Sequence, residues 1–236
     1  MFYLQIFIII FIITIVSVLL LMKDSNGNPM INNPLNILPT NDDRILYEGL
    51  NGKKYKVRKS DDNNIMKEKA DFLANLDDKS MVLINYMISN NLPDKKVATS
   101  LFNRYTNGGL SETPASEKGA AYAINKGPIS ICIFKDGKKQ NLDDAFFVIL
   151  HELAHLMSDS YGHGEEFQKN FNYIVKLAVK VSLENVVNQK LFEDPKFDEN
   201  NRDYCGVKIT SSPCDGDACT KGQLNKIDYF ETLLDS

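Results

Sequence analysis

An α+β domain behind an N-terminal membrane-spanning helix is the fold this sequence predicts. Three observations predict it. Residues 2–22, FYLQIFIIIFIITIVSVLLLM, form one uncharged apolar run. Short strand patterns at 44–58 and 120–134 stand among helical periodicities at 62–105 and from 141 onward. The helix starting near Asn141 is apolar almost throughout, yet it carries HELAH, with two of the chain's three histidines. A helix that is apolar all round is buried, so its few polar atoms must serve a site inside the domain.

The elements follow in order. Residues 1–23 read as an anchor, because a helix of about 20 apolar residues crosses a bilayer core of about 30 Å. A cleaved signal peptide is the alternative. It is disfavoured by the missing basic n-region, by the length of the run and by the lack of a small-x-small site before Lys23. Residues 24–43, rich in Asn, Pro and Asp, read as a flexible linker. The segment 44–106 opens with a hairpin, RILYEG and KKYKVR, joined across Asn51-Gly52 as a two-residue turn. Helices follow at 62–90 and, after Pro93, at 95–105, and residues 106–119 read as a polar loop.

Strands at 120–125 and 129–134 come next, broken by Lys126-Gly127-Pro128 and closed by Asp136-Gly137. Asn141 is placed to cap the following helix, with Asp143 and Asp144 in the first turn, where a helix N-terminus favours negative charge. From Glu165 the helical period resumes through Phe167, Phe171, Ile174, Val175, Ala178 and Val181. Residues 107–184 thus form the core around the motif, and 185–236 read as an irregular, cysteine-containing segment.

The motif carries the chemistry. Residues four apart on a helix share a face, so His151 and His155 turn ring nitrogens toward one point. Such a pair grips a divalent transition metal, most often zinc, with nitrogen ligands at about 2.0–2.1 Å. Glu152, roughly 100° round the helix from His151, reaches a metal-bound water without being a ligand, the position of a general base. A catalytic zinc takes three protein ligands. His163 leads as the third: Ser158, Asp159, Ser160 and Gly162 are turn formers that let the chain fold back, and histidine occurs nowhere else. Glu184 on the downstream helix and Asp159, nearer in sequence, are the rivals.

HELAH, a seven-residue gap and then His163, Gly164 and Phe167 in the pattern HGxxF resemble the SprT-like and related zincin-fold metallopeptidases. A closer resemblance is to uncharacterised, membrane-anchored metallopeptidases of large double-stranded DNA viruses. These share segments like AYAINKGPISICIF at 121–134 and DYCGVKITSSPC at 203–214. The resemblance covers roughly residues 107–214. It implies a zincin-like domain, a small sheet packed on the active-site helix, with His151, His155 and His163 as Zn2+ ligands and Glu152 as base. The pattern departs from the metzincins, which place a glycine where Ser158 stands. It also lacks the paired CxxC zinc ribbon of SprT relatives that act at DNA.

The expected activity is zinc-dependent hydrolysis of peptide bonds through a zinc-bound water and the Glu152 base, on a protein or peptide substrate. Strand 129–134, just before the motif helix, is placed to pair with that substrate by β-augmentation. Tyr161 and Tyr204 are phenols that could face the oxyanion, but among ten tyrosines ordinary packing is the reading favoured for each. The alternative from another class is a non-catalytic zincin-like virion or membrane protein, with zinc closed off by a tail cysteine or Asp159.

Net charge is −4, which argues against a surface built to track nucleic-acid phosphates. The basic cluster Lys53, Lys54, Lys56, Arg58 and Lys59 reads as a solvated face or one attracted to anionic lipid. Membrane lipid is the partner of the N-terminal helix, making this a single-pass protein of a host or virion membrane. Lys23 follows the span with no basic residue before it, and no Asn-x-Ser/Thr sequon occurs. Both features place the domain on the cytosolic or virion-internal side. Of the four cysteines, Cys132 in ISICIF reads as a buried, inert small hydrophobe. Cys205, Cys214 and Cys219 gather in the tail, where a disulfide between two of them is plausible in an oxidising compartment.

Overall fold

Chain pairing begins at a hairpin. The computed structural model describes residues 42–117, 119–183, 190–192 and 202–209. The apolar run at 2–22, nearly all of the linker, Glu184, Cys214 and Cys219 lie outside the described residues. Among those described, no helix is long and apolar enough to cross a membrane.

Strands β1 (Arg44–Glu48) and β2 (Lys54–Arg58) pair antiparallel, with Glu48 opposite Lys54. The connection is longer than the expected two-residue turn. Gly49 N–H donates to Lys53 C=O at 2.9 Å, and Gly52 takes a left-handed φ of 77°. The longer loop frees the Asn51 amide to donate to Tyr55 Oη and Asp78 Oδ1, both at 2.9 Å, which ties the hairpin to α1 (Asn63–Asn90). A side chain at Gly49 would meet Ala70 O of α1 at 2.8 Å, so only glycine allows this approach.

Helix α1 starts where Asp62 accepts from Asn64 N–H at 2.8 Å and ends at Asn91, whose φ of 53° is left-handed. Helix α2 (Lys95–Gly108) is capped by Asp94, which accepts from Val97 N–H at 3.0 Å. It runs beyond the expected 105 and leads directly into β3 (Leu110–Glu112), inside the stretch expected to be a polar loop. The polarity misleads because Glu112 is fully buried and paired: its carboxylate accepts from Arg58 N–H at 2.6 Å and Arg58 Nε at 3.0 Å, with Lys69 Nζ at 3.2 Å. Ion pairing lets an acidic residue occupy a central strand. Arg58 and Lys53, which holds Asp77 at 2.7 Å, are therefore structural rather than part of a free basic face.

β4 (Ala121–Ala123) and β5 (Ile129–Ile131) complete a five-stranded sheet in the order β1-β2-β3-β5-β4. β2, β3 and β5 run parallel, and β4 is an antiparallel edge. Both strands are shorter than expected. Phe134–Lys135 (β6) instead pairs with Lys138–Lys139 (β7) around Asp136-Gly137, both at positive φ as a tight hairpin requires.

Helix α3 (Leu142–Met157) begins as expected: the Asn141 side chain accepts from Asp143 N–H at 2.8 Å and Asp144 N–H at 3.2 Å. It packs on α1, α2, β4 and α4 (Glu165–Leu183), with Phe146, Ile149, Leu150, Leu153 and Leu156 inaccessible to solvent. The helices and sheet thus make an α+β domain whose most buried helix is the one bearing the motif.

The tail is not wholly irregular. β8 (Arg202–Tyr204) and β9 (Val207–Ile209) form a hairpin across Cys205-Gly206, both at positive φ. Cys205 is bonded to Cys132, across 73 residues of sequence. Cys132 is therefore not inert, and Cys205 pairs with it rather than within the tail. Tyr204 brings the two together, its buried hydroxyl donating to Cys132 C=O at 2.5 Å.

Candidate metal centre

Two residues of the site are set by α3 itself, and the third by how that helix stops. His151 and His155 lie one helical turn apart on the side facing the start of α4. After Met157 the chain leaves the helix at Ser158, whose N–H and hydroxyl both return to Ala154 C=O, at 3.1 and 2.8 Å. Asn170 of α4 donates to the same hydroxyl at 2.9 Å.

The loop 158–164 is pinned from three directions. Arg104 donates to Leu156 C=O at 2.6 Å, Ser158 C=O at 3.0 Å and Asp159 Oδ1 at 3.0 Å. Lys126 donates to Ser158 C=O at 2.8 Å and to Asp159 C=O. Glu166 accepts from Asp159 N–H at 2.7 Å, Ser160 N–H at 2.8 Å and the Ser160 hydroxyl. Burial opposes its charge, but those hydrogen bonds hold the Glu166 carboxyl below its usual range. The result presents His163 to the other two.

His163 Nε2 lies 3.1 Å from His151 Nε2 and 3.2 Å from His155 Nε2, and all three ligand atoms fall within 4.8 Å of one another. Nitrogens at tetrahedral positions round one zinc sit about 3.3 Å apart. A ring nitrogen offers one hydrogen or one lone pair, whereas a cation is a common partner for three lone pairs. Phe167, buried beneath, holds all three rings: its centroid lies 4.8 Å from His151, 4.3 Å from His155 and 4.7 Å from His163.

Protonation fits a cation as well. Burial first, then His155 and His163, push His151 down to about 4. Burial, then His163 and Lys126, do the same to His155, also to about 4. Both are neutral at pH 7 with lone pairs free to ligate. The donor set therefore suits a divalent metal.

Glu152 is only 5% exposed and shares the cleft with the histidines. Burial pushes its carboxyl up to about 7, against the pull of a hydrogen bond from Ala123 N–H. In the metal-free protein this has a defined sign. The folded state holds that proton more tightly than the unfolded chain, so Glu152 costs stability as pH rises from 4.5 through 7. Metal-free Glu152→Gln should be more stable than metal-free wild type by about 1–3 kcal/mol near pH 8, with the gap closing in acid. Urea titrations with chelator at the two pH values measure it, and an equal gap at both contradicts the assignment.

The cleft encloses about 310 Å³ between β4, the β4–β5 turn at Asn125 and Lys126, the histidines and Tyr161. Its strand wall is β4, not the expected 129–134, because β5 is enclosed between β3 and β4. The pairing of Tyr122 with Ser130, with Ile124 N–H on Pro128 C=O and Cys132 N–H on Ala120 C=O, turns the polar groups of Ala121 and Ala123 outward.

Of the rival ligands, Asp159 is tied to Arg104 and largely exposed, and Glu184 lies outside the described residues. Tyr204 packs as favoured from sequence, and Tyr161 stands in the cleft with Lys126 Nζ 4.6 Å from its ring centroid. Sequence reasoning missed Arg104, Lys126 and Glu166. Only Glu166, three residues past His163 at the start of a helix, carried a signal.

No family model matches the chain, and no solved structure matches it. It is 24% identical to "Uncharacterized protein R325" of Acanthamoeba polyphaga mimivirus over 150 residues, 61% of this chain and 72% of that one. It is also 33% identical to "Uncharacterized protein 136R" of Invertebrate iridescent virus 6 over 79 residues, 31% of this chain and 44% of that protein. The chain thus spans under half the length of the second relative.

Proposed function

We propose that this chain is a membrane-anchored, zinc-dependent metallopeptidase of viral origin with a zincin-like domain, acting on polypeptide substrates. The observation that carries the reading is the convergence of three imidazole nitrogens beside a buried glutamate in one cleft. A structural site has no use for a carboxylic acid buried between its ligands at a cost in stability.

His151, His155 and His163 would hold the ion. Zinc, when bound, supplies Lewis acidity that polarises a carbonyl and acidifies water. Glu152 takes the proton of the attacking water and passes it to the departing amine. The Ala123 N–H fixes that carboxylate against the edge of the sheet. The outward C=O groups of Ala121 and Ala123 and the N–H of Ala121 offer an extended peptide a strand edge to pair with, which would set its carbonyl beside Glu152. Phe167 keeps the ligand rings from turning away.

The test is metal dependence. Full-length chain in lipid nanodiscs should cleave an unfolded protein such as carboxymethylated casein, stop when phenanthroline removes the metal, and resume with added zinc. Cleavage indifferent to the chelator, or none by zinc-loaded protein, would overturn the proposal.

A further inference from the structure

A cavity of about 660 Å³ opens where β2 and β3 meet, and neither the histidines nor Glu152 line it. The two strands pair at Lys56 with Ser111, and Ser111 stands opposite Ser130 of β5. Directly opposite residues share a face of a sheet, so one polar row crosses three strands. Period-two alternation along β2 leaves Lys54 and Lys56 exposed on this face and buries Tyr55 and Val57 on the other.

Donors gather on that row. The Arg44 guanidinium reaches over from β1, donating to Glu112 C=O at 2.8 Å and to Ser111 Oγ at 3.4 Å, which fixes it above the strands. The Ser111 and Ser130 hydroxyls lie 2.9 Å apart and share one hydrogen bond, so the pair keeps one hydrogen to give. The competing acceptor, Ile129 C=O, is 3.5 Å from Ser111 Oγ. Asp77 is the one carboxylate in the lining, and its charge is met within the fold. It accepts from Lys53 Nζ at 2.7 Å and from the Tyr55 and Tyr105 hydroxyls, each at 2.8 Å. Glu48, opposite Lys54 on β1, is not part of the lining. Leu46 of β1 and Ile124 just after β4, 61% and 49% exposed, add an apolar lip.

We propose that this cavity binds a phosphate group, carried by a phospholipid headgroup or by a soluble phosphorylated compound, on Arg44, Lys54, Lys56 and the Ser111–Ser130 pair. Cationic and hydroxyl donors arriving from four strands suit a tetrahedral oxyanion, whose several oxygens each accept charge-assisted bonds, better than a planar carboxylate. The volume is that of an ordinary small-molecule site and has room for a phosphorylated sugar ring. Only residues 23–43 separate β1 from the apolar run at 2–22, so with that run in a bilayer the headgroups are within the chain's reach. The site stands whether or not the metal centre is a peptidase.

Titration calorimetry on the full-length, zinc-loaded chain in phosphatidylcholine nanodiscs tests it, at about 150 mM salt so that diffuse attraction is screened. Inositol trisphosphate is the soluble probe and short-chain phosphatidylinositol bisphosphate the lipid probe, each corrected against empty nanodiscs. Lys54→Gln combined with Lys56→Gln should weaken binding at least about tenfold, with zinc content and thermal melting unchanged. Ser130→Ala, which removes no charge, should weaken it by about twofold to tenfold. Lys59→Gln, an exposed neighbour outside the lining, should change it by less than about twofold. Binding of neither probe, binding that survives the double substitution, or an equal loss with Lys59→Gln overturns the site. A lipid probe bound at least about tenfold tighter than the soluble one, a margin that Leu46→Ser removes, makes the ligand a phospholipid. A smaller margin makes it a soluble phosphorylated compound, and either result upholds the phosphate site.

Discussion

Glu152→Gln is expected to lower kcat for peptide hydrolysis by about 10²–10⁴-fold while the protein still binds one zinc with unchanged affinity. The substitution keeps the side chain's shape and its ability to accept from Ala123 N–H, so the cleft should persist. What it removes is proton transfer. A carboxylate that takes a proton from water and returns it to the leaving amine acts only in the transition state, so the loss should fall on kcat with KM little altered. Steady-state kinetics on a fluorogenic peptide, paired with metal analysis, reads both quantities. Persisting turnover would remove Glu152 from the mechanism, and loss of zinc would make it a ligand instead of a base.

His163→Ala should weaken zinc binding by more than about 100-fold, the upper range seen for losing a partner that merely orients a ligand. His163 is the hub of the three, with its Nε2 within 3.2 Å of both others, while His151 and His155 are presented by a rigid helix. Asp159→Ala is the control. It breaks the ion pair to Arg104, but that carboxylate is not among the ligand atoms that converge with the histidines, and Arg104 keeps its bonds to Leu156 and Ser158. Competition against a zinc-chelating dye should therefore separate the two variants widely. Comparable losses in both would return Asp159 to the ligand set.

Much of this centre was legible because it is local. Four-residue spacing on one helix is a property of the backbone, so His151, His155 and Glu152 could be placed from the motif alone, and the turn formers at 158–162 announced the return of His163. The long-range parts were not legible. Arg104 sits on a separate helix and Lys126 in a strand turn, and each acts on carbonyls of the 156–159 segment that sequence does not mark. β3 was hidden because Glu112 reads as a loop residue until Arg58 and Lys69 are seen around it. The more apolar segment, 129–134, reads as the strand that borders the cleft, but β4 takes that place. Yet apolar Ile129 and Ile131 mark a strand covered on both sides, while the alanines of β4 mark the open edge. Cysteine pairing was beyond sequence for a general reason: connectivity follows from folded proximity, here delivered by Tyr204.

Zinc K-edge X-ray absorption on the purified full-length chain, with metal counted per chain, tests the central claim most directly. The account predicts one zinc per chain, three imidazole nitrogens at about 2.0 Å and a single exchangeable oxygen completing the shell. Substoichiometric zinc, or a sulfur scatterer at about 2.3 Å closing the fourth position, would contradict it.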